Sequence, residues 1–248
     1  SISLGIVAVL PGAFDASFTA SAGYVIRSMV GGIDSFPLLA VPMFVLAGIL
    51  MAHGKISEKL FDVFVYFLGN KRAGIPCAVI ITCLFYGAIS GSAPATVAAV
   101  GSMTIPLLIE LGYEKDFSTA IVAVAGGLGV IIPPSIPFIM YAMATGESVS
   151  DLFLAGIVPG MMISALLIFY AYYYCRRHGE DREKIQAKMD QLKAKGSFNI
   201  LKESIWALLS PVIVLGCIYS GVASPTEAAV ISVFYSLFVS LFIYRSIK

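Results

Sequence analysis

Stretches without a single charged residue dominate this chain. They fall at about 1–14, 35–52, 76–109, 119–146, 152–175, 205–226 and 228–244, and several end in glycine, proline or charge. A helix needs about 20 apolar residues to cross the hydrocarbon of a bilayer, so the pattern predicts an all-α polytopic membrane protein. Three segments depart from a simple span. The first is too short to cross alone, which predicts that the chain starts inside a longer first helix. The run Pro76 to Ile109 is 34 residues long, and its middle, LFYGAISGSAPATVAAVGSMTIP, gathers glycine, serine and proline where a span should be most apolar. Segment 119–146 contains GGLGVIIPPSIPFIMYAMATG, in which Gly126, Gly127 and Gly129 loosen the helix while Pro133, Pro134 and Pro137 remove three N–H donors.

Broken backbone at membrane depth persists only where protein or a water-filled cavity satisfies its freed N–H and C=O groups. Discontinuous helices of this kind hold ions and substrates in secondary transporters. The run 76–109 is therefore read as a re-entrant hairpin and 119–146 as a broken helix. The plainer alternative for the first is a helical hairpin with a tight turn among the headgroups. Segment 56–68, ISEKLFDVFVYFL, follows a different pattern: Lys55, Glu58, Lys59 and Asp62 share one side, and Ile56, Leu60, Phe64, Phe67 and Leu68 line another. That predicts a helix lying along the membrane surface, or equally one packed against another subunit.

Composition agrees, with 58% hydrophobic and 12% charged residues and a mean hydropathy of +0.91. The distribution of charge carries more than its total. Fifteen of the sixteen lysines and arginines lie at 55–72, at Lys115, between Arg176 and Lys202, or at Arg245 and Lys248; Arg27 stands apart. If 76–109 enters and leaves on one side, all fifteen share one membrane face, as the positive-inside rule requires. The loop 176–204 is then cytoplasmic, and the loops at about 15–34 and 145–151 lie on the periplasmic side. That loop mixes eight basic with five acidic residues, which favours a solvated helix over a dedicated anionic-lipid site. Nucleic-acid binding has no support.

Candidate chemistry is sparse. Cys77, Cys83, Cys175 and Cys217 have no metal or redox spacing and read as small buried hydrophobes. The two histidines, His53 and His178, sit in charged surroundings and make a histidine metal site or hydrolytic centre unattractive. Glu227, the one acid in an apolar region, reads chiefly as part of an N-cap with Ser224. What remains is the two breaks. Serine hydroxyls at one and free carbonyls at the other would suit a weakly held hard cation such as sodium without any carboxylate.

Five collinear stretches now carry a resemblance: PLLAVPMFVLAGILM at 37–51, FYGAISGSAPATVAAVGSMTIP at 85–106, IIPPSIPFIMYAMATG at 131–146, LFLAGIVPG at 152–160 and SGVASPTEAAVISVFYSLF at 220–238. Together they resemble the large membrane (M) subunit of tripartite ATP-independent periplasmic (TRAP) transporters. The resemblance implies a non-enzymatic, sodium-coupled importer of small organic anions, such as sialic acid or C4-dicarboxylates, in the bacterial inner membrane. Its implied partners are a small four-helix membrane (Q) subunit, a periplasmic substrate-binding (P) protein and membrane lipid. It also implies an elevator-type fold with inverted repeats, of which mainly the first lies in this chain.

On that pattern residues 1–52 are scaffold, 53–75 an arm helix, 76–146 the moving transport region, 147–175 scaffold, 176–204 a cytoplasmic loop, and 205–248 scaffold plus the opening of the second repeat. The implied sodium ligands are Ser90, Ser92, Gly129, Ile132 and Pro134. Gly91, Ala93, Pro94, Ala95, Thr96 and Ser135 would shape the hairpin tip or meet substrate. Ser90 and Ser92 could instead serve helix packing, and Ser135 could bond back to its own kinked backbone. A single-component sodium/dicarboxylate carrier is the nearest alternative, and a non-transporting assembly subunit the further one.

Overall fold

Helices follow the uncharged segments, with one departure: Ala22–Ile33, inside the expected loop 15–34, is helical. A computed structural model describes residues 22–194 and 197–246; the segment 1–14, part of the stretch 15–34, Lys195 and Lys248 lie outside the described residues. In chain order the helices are α1 (Ala22–Ile33), a 3-10 turn (Phe36–Leu39), α2 (Ala40–His53), α3 (Ile56–Leu68), α4 (Gly74–Ser90), α5 (Ala93–Glu110), α6 (Lys115–Gly126), a second 3-10 turn (Gly127–Val130), α7 (Ile136–Thr145), α8 (Val149–His178), α9 (Arg182–Ala194), α10 (Ser197–Tyr219) and α11 (Pro225–Phe238), which runs into a π turn (Val239–Ile243). No strand occurs among the described residues. Five helical stretches are long and apolar enough to cross a membrane: Phe36–His53, Ala93–Glu110, Val149–His178, Ile200–Tyr219 and Pro225–Ile243.

The long run 76–109 divides where its composition says it should. Helix α4 ends at Ser90, Gly91 takes the left-handed conformation at φ +61°, and Ser92 is extended ahead of Ala93 and Pro94 in the first turn of α5. The same logic breaks 119–146, where α6 tightens into the 3-10 turn and residues 131–135 are unwound before α7.

One buried carboxylate fixes the direction of the hairpin. Glu180, with its side chain only 3% exposed, follows α8. It accepts hydrogen bonds from the Ala73 N–H (3.0 Å) ahead of α4 and from the Tyr113 hydroxyl (2.7 Å) beyond α5. Arg182 supplies the counter-charge at 3.1 Å. Burial and the bond to Glu180 raise the Tyr113 pKa well above the ordinary phenol value, so the hydroxyl stays a donor. Both ends of the hairpin therefore meet at the end of α8, and the tip between them lies at the far end of both helices.

The same end of the molecule collects the basic residues. Lys59 pairs with Glu203, Arg182 donates to the Asn70 carbonyl at 3.3 Å, and Lys184 pairs with Asp181 at 3.2 Å. At the opposite end Thr226 Oγ1 bonds the Phe36 carbonyl (3.2 Å), and the Ser35 hydroxyl meets Met143 Sδ (3.5 Å). Helices α2 and α11 run parallel between these levels, since Ser240 Oγ reaches the Leu50 carbonyl at their other ends (3.4 Å).

Helix α3 forms at the expected residues, but protein covers much of its apolar side. Ile56, Leu60, Phe61, Val63 and Val65 are buried, and the helix packs on α4 and α10. Phe67 departs from the expected stripe and is 59% exposed. Within the loop 176–204, α9 buries Ile185, Met189 and Leu192, and Gly69 lets Met189 approach α3 so closely that a Cβ there would stand 2.3 Å from its sulfur. Glu227 accepts from the Ser224 N–H (2.7 Å) while Ser224 Oγ accepts from the Glu227 N–H (3.3 Å), a complete capping box for α11.

Candidate functional site

The two breaks face each other. Glycine makes this approach achievable: Gly87 on α4 and Gly129 in the 3-10 turn lie so close that a Cβ on Gly87 would stand 2.6 Å from the Gly129 Cα. A Cβ on Gly129 would meet Thr96 Oγ1 at 2.6 Å and the Ser92 carbonyl at 3.1 Å. Further along, a Cβ on Gly91 would meet the Pro134 carbonyl at 2.8 Å, and the Ile136 N–H donates to the Gly91 carbonyl at 3.3 Å. The hairpin tip thus meets the broken helix backbone to backbone, at the 3-10 turn through Gly129 and at the start of α7 through Ile136.

At the centre sit neutral oxygens. Ser90, fully buried, places its hydroxyl 3.0 Å from Thr96 Oγ1 and 3.4 Å from the Ser92 carbonyl. Thr96, also fully buried, donates to the Ser92 carbonyl at 2.9 Å, and its N–H bonds the same oxygen at 3.0 Å. Ser92 contributes this carbonyl; its side chain caps no helix N–H. No cluster of three or more histidine, cysteine, aspartate or glutamate side chains with metal-holding geometry occurs among the described residues. A donor set of hydroxyls and carbonyls without formal charge fits a monovalent hard cation, and does not fit a transition metal.

The remaining expected residues divide. Ala93 and Pro94 form the first turn of α5. Ala95 points into a cavity of about 340 Å³ that it shares with Ile49, His53, Tyr86, Ala99 and Ser102. Ile132 belongs to the unwound stretch, but its side chain packs away from the tip, where a Cβ on Gly160 of α8 would come within 2.2 Å of it. Ser135 caps α7: its hydroxyl donates to the Val130 carbonyl (2.6 Å) and accepts from the Phe138 N–H (3.4 Å), so it is engaged with its own kinked backbone.

Three contributors escaped the sequence reading. Gly87, four residues before Gly91 on one face of α4, carries the close approach to Gly129, and that spacing was the available signal. Gly48 of α2 abuts the tip, since its Cβ would lie 2.9 Å from the Ser90 Cβ. Tyr86 secures the same contact by donating to the Gly48 carbonyl at 2.7 Å.

Fold and site together define a polytopic helical membrane protein in which a helical hairpin packs on a broken helix. Over residues 1–248 the chain matches the family model described as "Tripartite ATP-independent periplasmic transporter, DctM component", and it belongs to that family, which comprises transporter permease subunits rather than enzymes. It is 44% identical over 225 residues to the isethionate TRAP transporter permease protein DctMQ of Oleidesulfovibrio alaskensis, covering 91% of this chain and 35% of the relative. It is 40% identical over 215 residues to the C4-dicarboxylate TRAP transporter large permease protein DctM of Pseudomonas aeruginosa, covering 87% of this chain and 49% of that protein. With the ectoine TRAP transporter large permease protein TeaC of Halomonas elongata it shares 35% identity over 223 residues, 90% of this chain and 51% of the relative. The chain therefore spans about half or less of the length of these relatives.

Proposed function

We propose that this chain forms part of the large permease subunit of a sodium-coupled secondary transporter in the bacterial inner membrane. The transporter imports small organic anions, carboxylates such as sialic acid or C4-dicarboxylates, delivered by a periplasmic binding protein, with a small four-helix membrane subunit as partner. The observation that supports this reading most strongly is the meeting of two helix breaks around Ser90, Thr96 and the Ser92 carbonyl, an uncharged oxygen set suited to sodium.

The physical consequence is coupling. The hairpin tip and the 127–135 stretch each carry backbone groups without helical partners, and a cation between them would lock the two together. Substrate would meet the ordered tip only then, near the α5 N-terminus, whose free N–H groups and dipole favour negative charge. The helices α4 to α7 would move as one body against the remaining helices, carrying ion and solute together.

The test is uptake of labelled sialic acid, C4-dicarboxylate, isethionate and ectoine by the full-length complex in proteoliposomes, with and without binding protein and a sodium gradient. Uptake of an anion that requires both is the expected result; uptake indifferent to the binding protein would replace this reading with the single-component carrier. In the same assay Ser90→Ala combined with Thr96→Val is expected to raise the sodium concentration for half-maximal uptake at least tenfold. Ser92→Ala is expected to leave it nearly unchanged, because that residue offers its carbonyl. Unaltered sodium dependence in the double variant would remove these hydroxyls from the site.

A further inference from the structure

A crevice between α4 and α8, away from the hairpin tip, combines an apolar wall with unpaired positive charge. It encloses about 510 Å³, and its lining runs from Lys71, Arg72 and Tyr172 at one end to Ile81 and Ala165 at the other, with Phe169 between. Lys71 and Arg72 are exposed, and neither forms an ion pair among the described residues. Elsewhere at this end of the molecule Lys59, Arg182 and Lys184 have carboxylate partners, whereas Lys71 and Arg72 are set apart by sharing one lining with an apolar wall. The outer wall faces away from the protein, with Phe169 70% and Leu166 65% exposed on α8.

We infer that this crevice binds one anionic phospholipid, its phosphate held by Lys71 and Arg72 and one acyl chain lying between α4 and α8. Gly74 and Ile81 are seven positions apart, as are Ala165 and Tyr172, so the apolar part is about 10 Å long at a helical rise of about 1.5 Å per residue. The charged end sits with the basic loops that precede α4, and the crevice runs from it along α4 and the candidate membrane span α8, as a lipid with its phosphate at the charged end would require. Charge and shape decide the occupant together. The two adjacent cations, without a carboxylate partner, call for an anion, which a zwitterionic lipid supplies poorly. A slot between two helices already in contact admits an acyl chain but not a helix about 10–12 Å across. Free phosphate would satisfy the cations and leave the apolar wall uncovered.

Native mass spectrometry of the full-length permease with its membrane partner, offered phosphatidylglycerol and phosphatidylethanolamine of equal chain length, tests the site. Preferential retention of one phosphatidylglycerol is expected. Lys71→Gln with Arg72→Gln should weaken it roughly tenfold or more, in line with the attraction of each surface cation for an anionic leaflet. Lys71→Arg with Arg72→Lys should restore it, and Ala165→Trp should abolish it with both charges in place. Equal retention of the two lipids, undiminished retention by the Gln pair, or full displacement by millimolar inorganic phosphate would each overturn the proposal. So would a photocrosslinker at Phe169 that captures the small membrane subunit in place of lipid.

Discussion

Single atoms decide the fit at the hairpin tip, and glycine supplies the room. Gly129 has Thr96 Oγ1 and the Ser92 carbonyl where a methyl would go, whereas Gly127, two residues earlier, has nothing within 4 Å. Gly129→Ala should therefore push the 3-10 turn off the hairpin, costing about 1–3 kcal/mol as overpacking does, and uptake should fall with it. Gly127→Ala should behave as wild type. Thermal unfolding of both variants in detergent, read beside uptake, checks the contrast, and equal loss in the two would show that helix loosening rather than contact is what matters. The serines illustrate what sequence conveys at this scale. Hydroxyls at 90 and 92 were legible as candidate ligands, but only packing distinguishes Ser90, whose hydroxyl meets Thr96, from Ser92, whose carbonyl does the bonding.

Among the elements, the hairpin α4–α5 owes its shape to its two ends. Its tip follows from local chemistry, because Gly91 can adopt a positive φ and Pro94 suits the first turn of a new helix. Its base depends on Glu180, distant in sequence from both helices it joins. Tyr113→Phe should leave that buried carboxylate short of a donor, and hydrogen bonds to charged groups contribute about 1.5–3 kcal/mol. The expected outcome is a lower unfolding temperature and faster amide exchange at residues 110–116, with sodium affinity nearly unchanged. Exchange confined to the tip would contradict this role for the base. At the start of α11, the Ser224–Glu227 box was readable as a cap because both partners lie within one turn. Ser224→Ala should cost about 1 kcal/mol, seen as a lowered unfolding midpoint.

Across the whole molecule, charge and packing point to the same orientation. Ala73, Tyr113 and Glu180 meet at one level, and Lys71, Arg72, Lys115 and Arg182 neighbour them in sequence. In a background free of native cysteines, cysteines placed at Lys71, Lys115 and Lys184 should react with an impermeant maleimide only from the cytoplasmic side, and one at Asp151 only from the periplasmic side. Labelling of Lys71 and Lys115 positions from opposite faces would overturn the proposed re-entrant hairpin in favour of a single crossing. The apolar pattern alone settled that this is a helical membrane protein and where two of its long apolar runs break, because apolar length, glycine and proline act locally; it did not foresee the helix Ala22–Ile33. The five motifs settled its family. That Gly87 and Gly129 bring the two breaks together, that the Thr96 hydroxyl meets Ser90 and that Glu180 closes the hairpin base were settled by packing. Those contacts join residues tens of positions apart, and nothing in a local pattern records the partner a buried polar group will find.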